Sequence, residues 1–256
     1  MRLDKLLAEL TGFTRSQARD VIVKGRVCVN GEVKKVTAEQ VKEECDVLTL
    51  DGKALVFQKY VYYMLNKPAG TVSATQDKEA KTVLSLLSAE DRKRRNLFPV
   101  GRLDKDTEGL LLLTDDGMLS HQLISPKKHA DKLYFAKLAR EITKEDIEVF
   151  ASGMKVDEEL TAMPAVLRFL TDEEAKAFLP EGGAAAAVIL HEGKFHQVKR
   201  MFAATGNEVL YLKRMAMGGV VLDDTLPPGA YRALTGEELA MLRDSVAKEN
   251  NKCERM

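Results

Sequence analysis

The sequence GRLDKDTEGLLLLTDDG, residues 101–117, joins a cluster of charged side chains to a run of four leucines. The leucines at 110–113 lie between Gly109 and a second group of turn-forming residues, Asp115, Asp116 and Gly117. A continuous apolar run of this length, bounded by turn residues, is typical of a strand buried on both faces. The segment therefore predicts a core strand that holds charged side chains rigidly in the loop before its first residue, where they stay accessible. A polar loop that merely precedes a core strand is the plain alternative.

Length and composition are those of a globular protein. The 256 residues allow one large domain or two smaller ones, and 45% hydrophobic with 30% charged residues is an ordinary balance. No window approaches the roughly 18 consecutive apolar residues of a membrane span, and the first residues do not resemble a signal peptide. The three cysteines are widely separated and form no C-x-x-C pair, so we interpret them as free thiols in a reducing cytosol. We expect a cytoplasmic protein that does not enter a membrane.

Several classes of site lose their sequence support. His191 and His196 are five residues apart, which does not place them on one helical face, and no other spacing suits a metal. Motifs for dinucleotides, for the P-loop and for a nucleophile elbow are absent. We therefore expect no metal and no cofactor, so any chemistry would depend on carboxylates, cations and aromatic rings. The net charge of zero argues mildly against a nonspecific nucleic-acid coat, although local basic stripes matter more than the sum.

The first fifty residues predict two short helices followed by a β-hairpin. Thr14 and Gln17 form a capping box that starts the second helix. Asn30-Gly31 between alternating valines is a strong hairpin signal. The outward side chains of the second helix and its exit form a basic face that suits contact with phosphates, with a merely solvated face as the alternative. These cations are Arg15, Arg19, Lys24 and Arg26.

The rest of the chain mixes strands and helices without regular β-α-β alternation, which indicates an α+β domain. We predict a first domain over residues 1–50, a linker over 51–60 and a second domain over 61–248. Strands are predicted at 61–65, 110–113, 132–138, 160–170 and 184–190, with two or three short ones within 208–234. Helices are predicted at 143–150 and 196–204, and a last helix is capped by Thr235 and Glu238.

The amino-terminal module resembles the small RNA-binding domain of ribosomal protein S4 over residues 1 to about 48. Residue types and spacing both agree. The matching positions are Arg2-Leu3-Asp4-Lys5, Ser16-x-Ala18-Arg19 and Gly25-x-Val27-x-Val29-Asn30-Gly31. The resemblance implies a helix-turn-helix plus hairpin that binds RNA.

Four motifs follow one another along the rest of the chain. They are Lys67-Pro68-x-Gly70, Gly101-Arg102-Leu103-Asp104-x-Asp106-Thr107-x-Gly109-Leu110-Leu111-Leu112-Leu113-Thr114, Lys132-x-Tyr134, and Glu192-Gly193-Lys194-x-His196-Gln197-Val198-Lys199-Arg200-Met201. In this order they resemble the ribosomal RNA pseudouridine synthases of the RsuA type. With the first module, the resemblance spans about residues 1–240. It implies a mixed, largely antiparallel sheet and an enzyme that turns uridine into pseudouridine.

The resemblance assigns roles to five residues. The catalytic carboxylate falls on Asp104, and the aromatic contact with the target base falls on Tyr134. The basic partner of the carboxylate falls on Lys199. Relatives often carry Arg at the position of Lys199, so Arg200 is an alternative candidate for this role. Arg102 occupies the space left by a flipped nucleotide. The reaction breaks the N1–C1′ bond, rotates the base and rejoins it through C5, and Asp104 can act as nucleophile or as a base toward the ribose.

Two neighbours of these residues need separate interpretations. Asp106 is expected to accept hydrogen bonds from nearby amides as a turn former and not to be a second catalytic group. Leu133 stands where Thr is common in the Lys-x-Tyr motif, beside the stacking Tyr134.

Finer details favour a small-subunit (16S) RNA substrate over a large-subunit (23S) one. They are Met1-Arg2-Leu3-Asp4-Lys5, Lys67-Pro68-Ala69-Gly70-x-x-Ser73-Ala74 and Ser125-Pro126-Lys127. We expect a monomer that acts on ribosomal RNA or on a partly assembled small subunit. The alternatives are a large-subunit enzyme and a noncatalytic RNA-binding or ribosome-assembly factor.

Overall fold

A computed structural model describes residues 1–42, 46–55, 60–94, 96–125 and 130–247, apart from the side chains of residues 93 and 94. Two compact units divide the chain, Met1–Lys59 and Tyr60–Met256. Within the described ranges, every helix is too short or too polar to cross a lipid bilayer. Pro126 and Lys127 of the proposed small-subunit motif and the expected domain end at residue 248 lie outside these ranges.

The described residues of the first unit form two helices and an antiparallel sheet of four strands in the order β2-β1-β3-β4. Its elements are α1 (Leu3–Thr11), α2 (Arg15–Val23), β1 (Val27–Val29), β2 (Glu32–Lys34), β3 (Leu48–Leu50) and β4 (Lys53–Leu55). The capping box is confirmed, because the Thr14 hydroxyl accepts from the Gln17 amide while the Gln17 side chain accepts from the Thr14 amide. The hairpin at Asn30-Gly31 is confirmed by the pairing of β1 with β2.

Part of the segment expected to be a linker is a strand. Asp51 and Gly52 both have positive φ, 51° and 77°, and join β3 to β4 as a two-residue hairpin turn. Asp-Gly is a strong hairpin signal, since both central residues of such a turn need the left-handed region. The interpretation of residues 51–60 as a connector overlooked this signal. Residues 56–59 of that segment lie outside the described ranges.

Among the described residues of the second unit, nine strands form a mixed sheet in the order β11-β12-β8-β13-β7-β5-β15, with β14 beside β13 and β6 beside β7. Its elements are β5 (Tyr62–Lys67), a 3₁₀ turn (Val83–Leu86), α3 (Ala89–Arg94), β6 (Phe98–Pro99), β7 (Glu108–Thr114), α4 (Gly117–Ile124), β8 (Lys132–Leu138), α5 (Lys144–Ser152), β9 (Met154–Lys155), β10 (Thr161–Ala162), β11 (Val166–Phe169), α6 (Asp172–Phe178), β12 (Ala185–Leu190), α7 (Gln197–Ala204), β13 (Val209–Met217), β14 (Val220–Val221), β15 (Tyr231–Ala233) and α8 (Gly236–Ala247). Among the described strand pairs of this sheet, only β13 and β7 run parallel. The predicted α+β class with a largely antiparallel sheet is confirmed.

Strand β7 is buried on both faces, as its leucine run predicts. Leu111 and Leu113 face a cluster that contains Tyr134, whereas Leu110 and Leu112 face the cluster on the other side of the sheet. None of the four leucines is more than 3% exposed. Each fully buried leucine contributes about 1.5–3 kcal/mol of transfer free energy. The strand is therefore a firm anchor for the loop that enters it.

Two boundaries differ from the sequence prediction for local reasons. Strand β5 extends through Lys67, beyond the predicted end at residue 65, because the strand keeps its register with β7 as far as Gly109. The single strand predicted over 160–170 is divided into β10 and β11, and Pro164 lies between them. Proline has no amide hydrogen to contribute to a ladder, so a break at this position is expected.

Candidate active site

The loop between β6 and β7 carries Asp104, and its backbone is fastened on both sides of that residue. The Ser73 hydroxyl donates to the Leu103 carbonyl at 2.9 Å and accepts from the Leu103 amide at 3.1 Å. Lys67 Nζ donates to the carbonyls of Lys105 at 3.2 Å and Thr107 at 2.7 Å. The loop is thus held by residues of β5 and of the segment that follows it.

Lys67 is a support that our sequence analysis did not identify. Its side chain is 0% exposed, and burial lowers its pKa to about 8. A buried ammonium is costly unless it is hydrogen-bonded, and here it donates to three backbone carbonyls. Its motif was recognised from the sequence, but only the fold shows that Lys67 reaches across to the loop of Asp104.

The Asp104 carboxylate lies between two nitrogen groups from the segment 196–199. Lys199 Nζ is 3.5 Å from Oδ2, and His196 Nε2 is 3.5 Å from Oδ1. The Asp104 side chain is 23% exposed. Both separations exceed the range of good hydrogen bonds, so both carboxylate oxygens remain accessible to a ligand while a cation stands beside them. His196 was quoted only as part of a motif, and its closeness to Asp104 is visible only in the fold.

Lys199 makes its shorter contacts with Asp106. Its Nζ donates to Oδ1 at 2.6 Å and to Oδ2 at 2.7 Å of that carboxylate, 93 residues away in sequence. The hydrogen bond from Lys199 lowers the pKa of Asp106. The turn role expected for Asp106 is therefore incomplete, because its carboxylate is directed at a distant cation, which spacing along the chain cannot reveal.

Tyr134 and Asp104 line the same pocket, which encloses about 400 Å³ including open solvent. Tyr134 lies on β8 between β12 and β13, and only 7% of it is exposed. Leu133 is not among the described lining residues of the pocket, because consecutive strand side chains point to opposite faces. Leu133 is next to Tyr134 in sequence, but the alternation of β8 directs its side chain to the other face of the sheet.

Charged side chains and one buried hydroxyl line the pocket. Arg102 is exposed and lines the pocket. Thr107 also lines it, and its buried hydroxyl has no hydrogen-bond partner among the described residues. Nη2 of Arg214 is also buried without a hydrogen-bond partner among the described residues, while Nε of the same side chain donates to the Leu110 carbonyl at 2.7 Å. Within the described ranges, no group of three His, Cys, Asp or Glu side chains is arranged to hold a metal ion.

Arg200 is directed away from Asp104. Its Nε donates to Asp157 Oδ2 at 2.9 Å, and its Nη2 also contacts that carboxylate. The guanidinium therefore joins α7 to the loop between β9 and β10. The geometry leaves Lys199, and not Arg200, beside the carboxylate of Asp104.

In the first unit, two of the predicted RNA-binding arginines share a buried carboxylate. Arg15 Nη2 and Arg19 Nε donate to Asp4 at 3.0 and 2.9 Å, and Arg2 donates to both oxygens at 3.1 Å. Asp4 is 0% exposed. Burial alone would raise the pKa of Asp4, but the hydrogen bonds from Arg2, Arg19 and Arg15 outweigh it and lower the pKa below its usual range.

The other two predicted cations of this unit have different surroundings. Arg26 forms a two-pronged pair with Asp51, and about half of each side chain is exposed. Lys24 is exposed at the end of α2. The four cations predicted to form one basic face are thus divided between an Asp4-centred group and separate surface positions.

Comparison with known proteins gives consistent matches over the whole chain. Residues 61–204 match the family model of RNA pseudouridylate synthase, and residues 1–48 match the S4 domain. The chain is 41% identical over 242 residues to ribosomal small subunit pseudouridine synthase A of Escherichia coli (strain K12), covering 94% of this chain and 99% of that protein.

Two further matches agree with these. An uncharacterized RNA pseudouridine synthase of Bacillus subtilis (strain 168), YtzG, is 42% identical over 247 residues, covering 96% of this chain and all of that protein. A crystal structure of a pseudouridylate synthase superposes with a TM-score of 0.63 at 38% identity, covering 94% of this chain and 99% of that one.

Proposed function

The chain belongs to the RNA pseudouridylate synthase family and contains an S4 domain, and we propose that it isomerises a uridine of small-subunit ribosomal RNA to pseudouridine. The two resemblances predicted from the sequence motifs are confirmed by these matches. The choice of small-subunit RNA rests on similarity to the E. coli enzyme, whose name states that substrate and which aligns over nearly the full length of both chains.

Asp104 is the proposed catalytic group. It attacks C1′ of the ribose as a nucleophile or removes a ribose proton as a base, and in either route the N1–C1′ bond breaks first. The detached uracil rotates and C5 bonds to C1′; in the nucleophilic route the bond from Asp104 to C1′ breaks as this bond forms, and in the base route Asp104 returns the proton to the ribose. The proton at C5 is then lost while N1 gains one. The product is an isomer of the substrate, so the reaction needs no external oxidant or reductant. Accessible carboxylate oxygens with a cation beside them support this assignment.

The surrounding residues have proposed positioning roles. Tyr134 stacks against the uracil, for which a buried aromatic ring lining the pocket is suited. Lys199 balances the negative charge of Asp104 and Asp106. Arg102 at the rim fills the gap that the flipped nucleotide leaves, since a planar cation can stack on the neighbouring bases. Thr107 offers a free hydroxyl to a polar atom of the substrate.

The first unit is proposed to dock RNA through its cations. Arg15, Arg19, Lys24 and Arg26 neutralise phosphates, with Arg200 on the second unit as a further candidate contact. We propose that the protein acts in the cytoplasm as a monomer, without a metal or cofactor, on ribosomal RNA or a partly assembled small subunit.

The test is direct mapping of pseudouridine after incubation with defined substrates. Protein-free small-subunit RNA, partly assembled small subunits and protein-free large-subunit RNA are compared under the same conditions. We expect one new pseudouridine in a small-subunit substrate. Modification of large-subunit RNA alone would replace the proposed substrate, and no pseudouridine in any ribosomal RNA would favour a noncatalytic RNA-binding role.

A further inference from the structure

Phe195 exposes 71% of its surface immediately beside the active-site pocket. A single exposed apolar side chain is common on protein surfaces and by itself indicates nothing. Phe195 differs from an ordinary exposed residue in three respects: the ring behind it, the loop that holds it and the cations around it.

The ring behind Phe195 is the imidazole of His196. The two ring centroids are 3.9 Å apart with an angle of 17° between the planes, which is a stacked pair. Consecutive side chains diverge in strands and do not face each other in helices. His196 has φ 50°, in the left-handed region that is uncommon for residues other than glycine. Such conformations persist where the surrounding structure enforces them, often at functional sites.

The loop that carries the pair is held by three contacts. The Phe195 carbonyl accepts from Arg200 Nη1 at 3.3 Å, and the Lys194 amide donates to Gln197 Oε1 at 2.9 Å. Gln197 Nε2 in turn donates to the buried Glu192 at 2.7 Å. The backbone of the loop is therefore held in place, and the ring stacks on His196. A prearranged surface loses less entropy on binding.

The cations around Phe195 belong to an open pocket that adjoins the first one. Asp104 and His196 line both pockets, so the second pocket continues directly from the carboxylate. Exposed Arg102, Lys105 and Lys194 line it together with Phe195. An aromatic face combined with cations is the arrangement that proteins use for single-stranded nucleic acid, where bases stack and phosphates pair with the cations.

We propose that the exposed face of Phe195 stacks against the base of a nucleotide next to the target uridine. This inference rests on the proposed function, since it concerns the same RNA. The ligand is an unpaired nucleobase, and because every base has an aromatic face, the site strengthens binding with little base preference. His196 supports the ring from behind and joins this subsite to Asp104.

The test compares Phe195→Leu, Phe195→Ala and Phe195→Tyr on a protein-free RNA fragment that contains the mapped uridine. The loss of one stacked base corresponds to about a tenfold weakening. We expect the Leu and Ala variants to raise KM about tenfold with kcat within about twofold, and the Tyr variant to stay near wild type. Phe169→Leu is the matched control, because Phe169 is another exposed phenylalanine, at 51%, but lies on β11.

A fluorescent base locates the contact. With 2-aminopurine on either side of the target, binding of the wild type should quench emission at one position, and Phe195→Leu should remove that quenching. Unchanged KM in the Leu and Ala variants, or equal quenching by wild type and Phe195→Leu, would overturn the inference. So would a defect confined to assembled subunits, which would indicate a protein partner. If the wild type made no pseudouridine at all, the proposed function would fail instead.

Discussion

The sequence Arg-Leu-Asp-Lys occurs twice, at residues 2–5 and 102–105, and the aspartates of the two copies have opposite surroundings. The first begins helix α1, where Asp4 is fully buried and accepts hydrogen bonds from three arginines at 2.9–3.1 Å. The second lies in the loop before β7, where Asp104 is 23% exposed and the ammonium of Lys199 stands 3.5 Å from its carboxylate. In the first copy both carboxylate oxygens are occupied, and in the second both are available.

The difference shows that an aspartate becomes reactive through what approaches it and not through its local sequence. Charge-assisted hydrogen bonds stabilise an ionised carboxylate and reduce its ability to attack or take a proton. Asp4 therefore suits a structural role, organising guanidinium groups on the surface of the first unit. The Lys199 ammonium lies 3.5 Å from the Asp104 carboxylate, too far for a close hydrogen bond that would occupy its oxygens.

Asp104→Asn should have the largest effect of any single change. It keeps the shape of the side chain but removes the nucleophile or base, so pseudouridine formation should fall by about 10³-fold or more. RNA affinity, measured by filter binding, should stay within about threefold because the phosphate contacts are untouched. Activity above a tenth of the wild-type rate would remove Asp104 from its catalytic role and erase the functional contrast between the two copies.

Asp4→Asn should mainly affect stability and RNA affinity. An amide offers one acceptor and two donors, so three guanidiniums would lose partners and face a donor. We expect unfolding of the full chain in urea to show a loss of about 2–3 kcal/mol. Affinity for the RNA fragment should fall as Arg15 and Arg19 lose their orientation, with little change in kcat. Asp20→Asn, an exposed aspartate on α2, is the matched control.

The stability difference between the wild type and Asp4→Asn should depend on pH in a definite direction. The pKa of Asp4 is lower in the folded state than in the unfolded chain, so its contribution is present above the unfolded pKa and is lost as pH falls through the folded one. The stability difference between wild type and Asp4→Asn should therefore be constant from about pH 5 to 8 and shrink below about pH 4. A difference that grew on acidification would contradict the charge-assisted account of Asp4.

Patterns that depend on neighbouring residues were predictable, and contacts between distant residues were not. The leucine run predicted a doubly buried β7, and the capping box at Thr14 and the hairpin at Asn30 followed from short signals. The motifs that contain Asp104, Tyr134 and His196 were recognised from the sequence because they occur together in one order, and not because their contacts at the pocket could be predicted. The bond from Lys199 to Asp106 joins residues 93 positions apart, and no periodicity encodes such a pair. The contacts of Arg15 and Arg19 with Asp4, which span 11 and 15 positions, were not predicted for the same reason.

Lys67→Met should produce an intermediate effect by loosening the loop of Asp104. The carbonyls of Lys105 and Thr107 would lose their donor while an apolar chain of similar length fills the space. Misplacement of a catalytic group by a fraction of an ångström slows catalysis, and we expect kcat to fall about tenfold with KM nearly unchanged. Single-turnover measurements at saturating RNA test this. A defect in KM alone would mean that Lys67 supports RNA binding and not the position of Asp104.

Asp106→Asn should have the smallest effect on kcat. It changes the second residue after Asp104, where the two Arg-Leu-Asp-Lys copies first differ. After the shared four residues the first copy continues with Leu6, which is buried, and the second with Asp106, which binds Lys199. An amide still accepts one hydrogen bond from Lys199, so the ammonium should remain near Asp104, and kcat should fall only about threefold. Lys199→Met is the informative companion, because it removes the cation from both carboxylates and should cost more than Asp106→Asn. If Asp106→Asn instead matched Asp104→Asn in severity, the second carboxylate would itself take part in the chemistry, and the reactive unit would be the pair of aspartates held by one lysine.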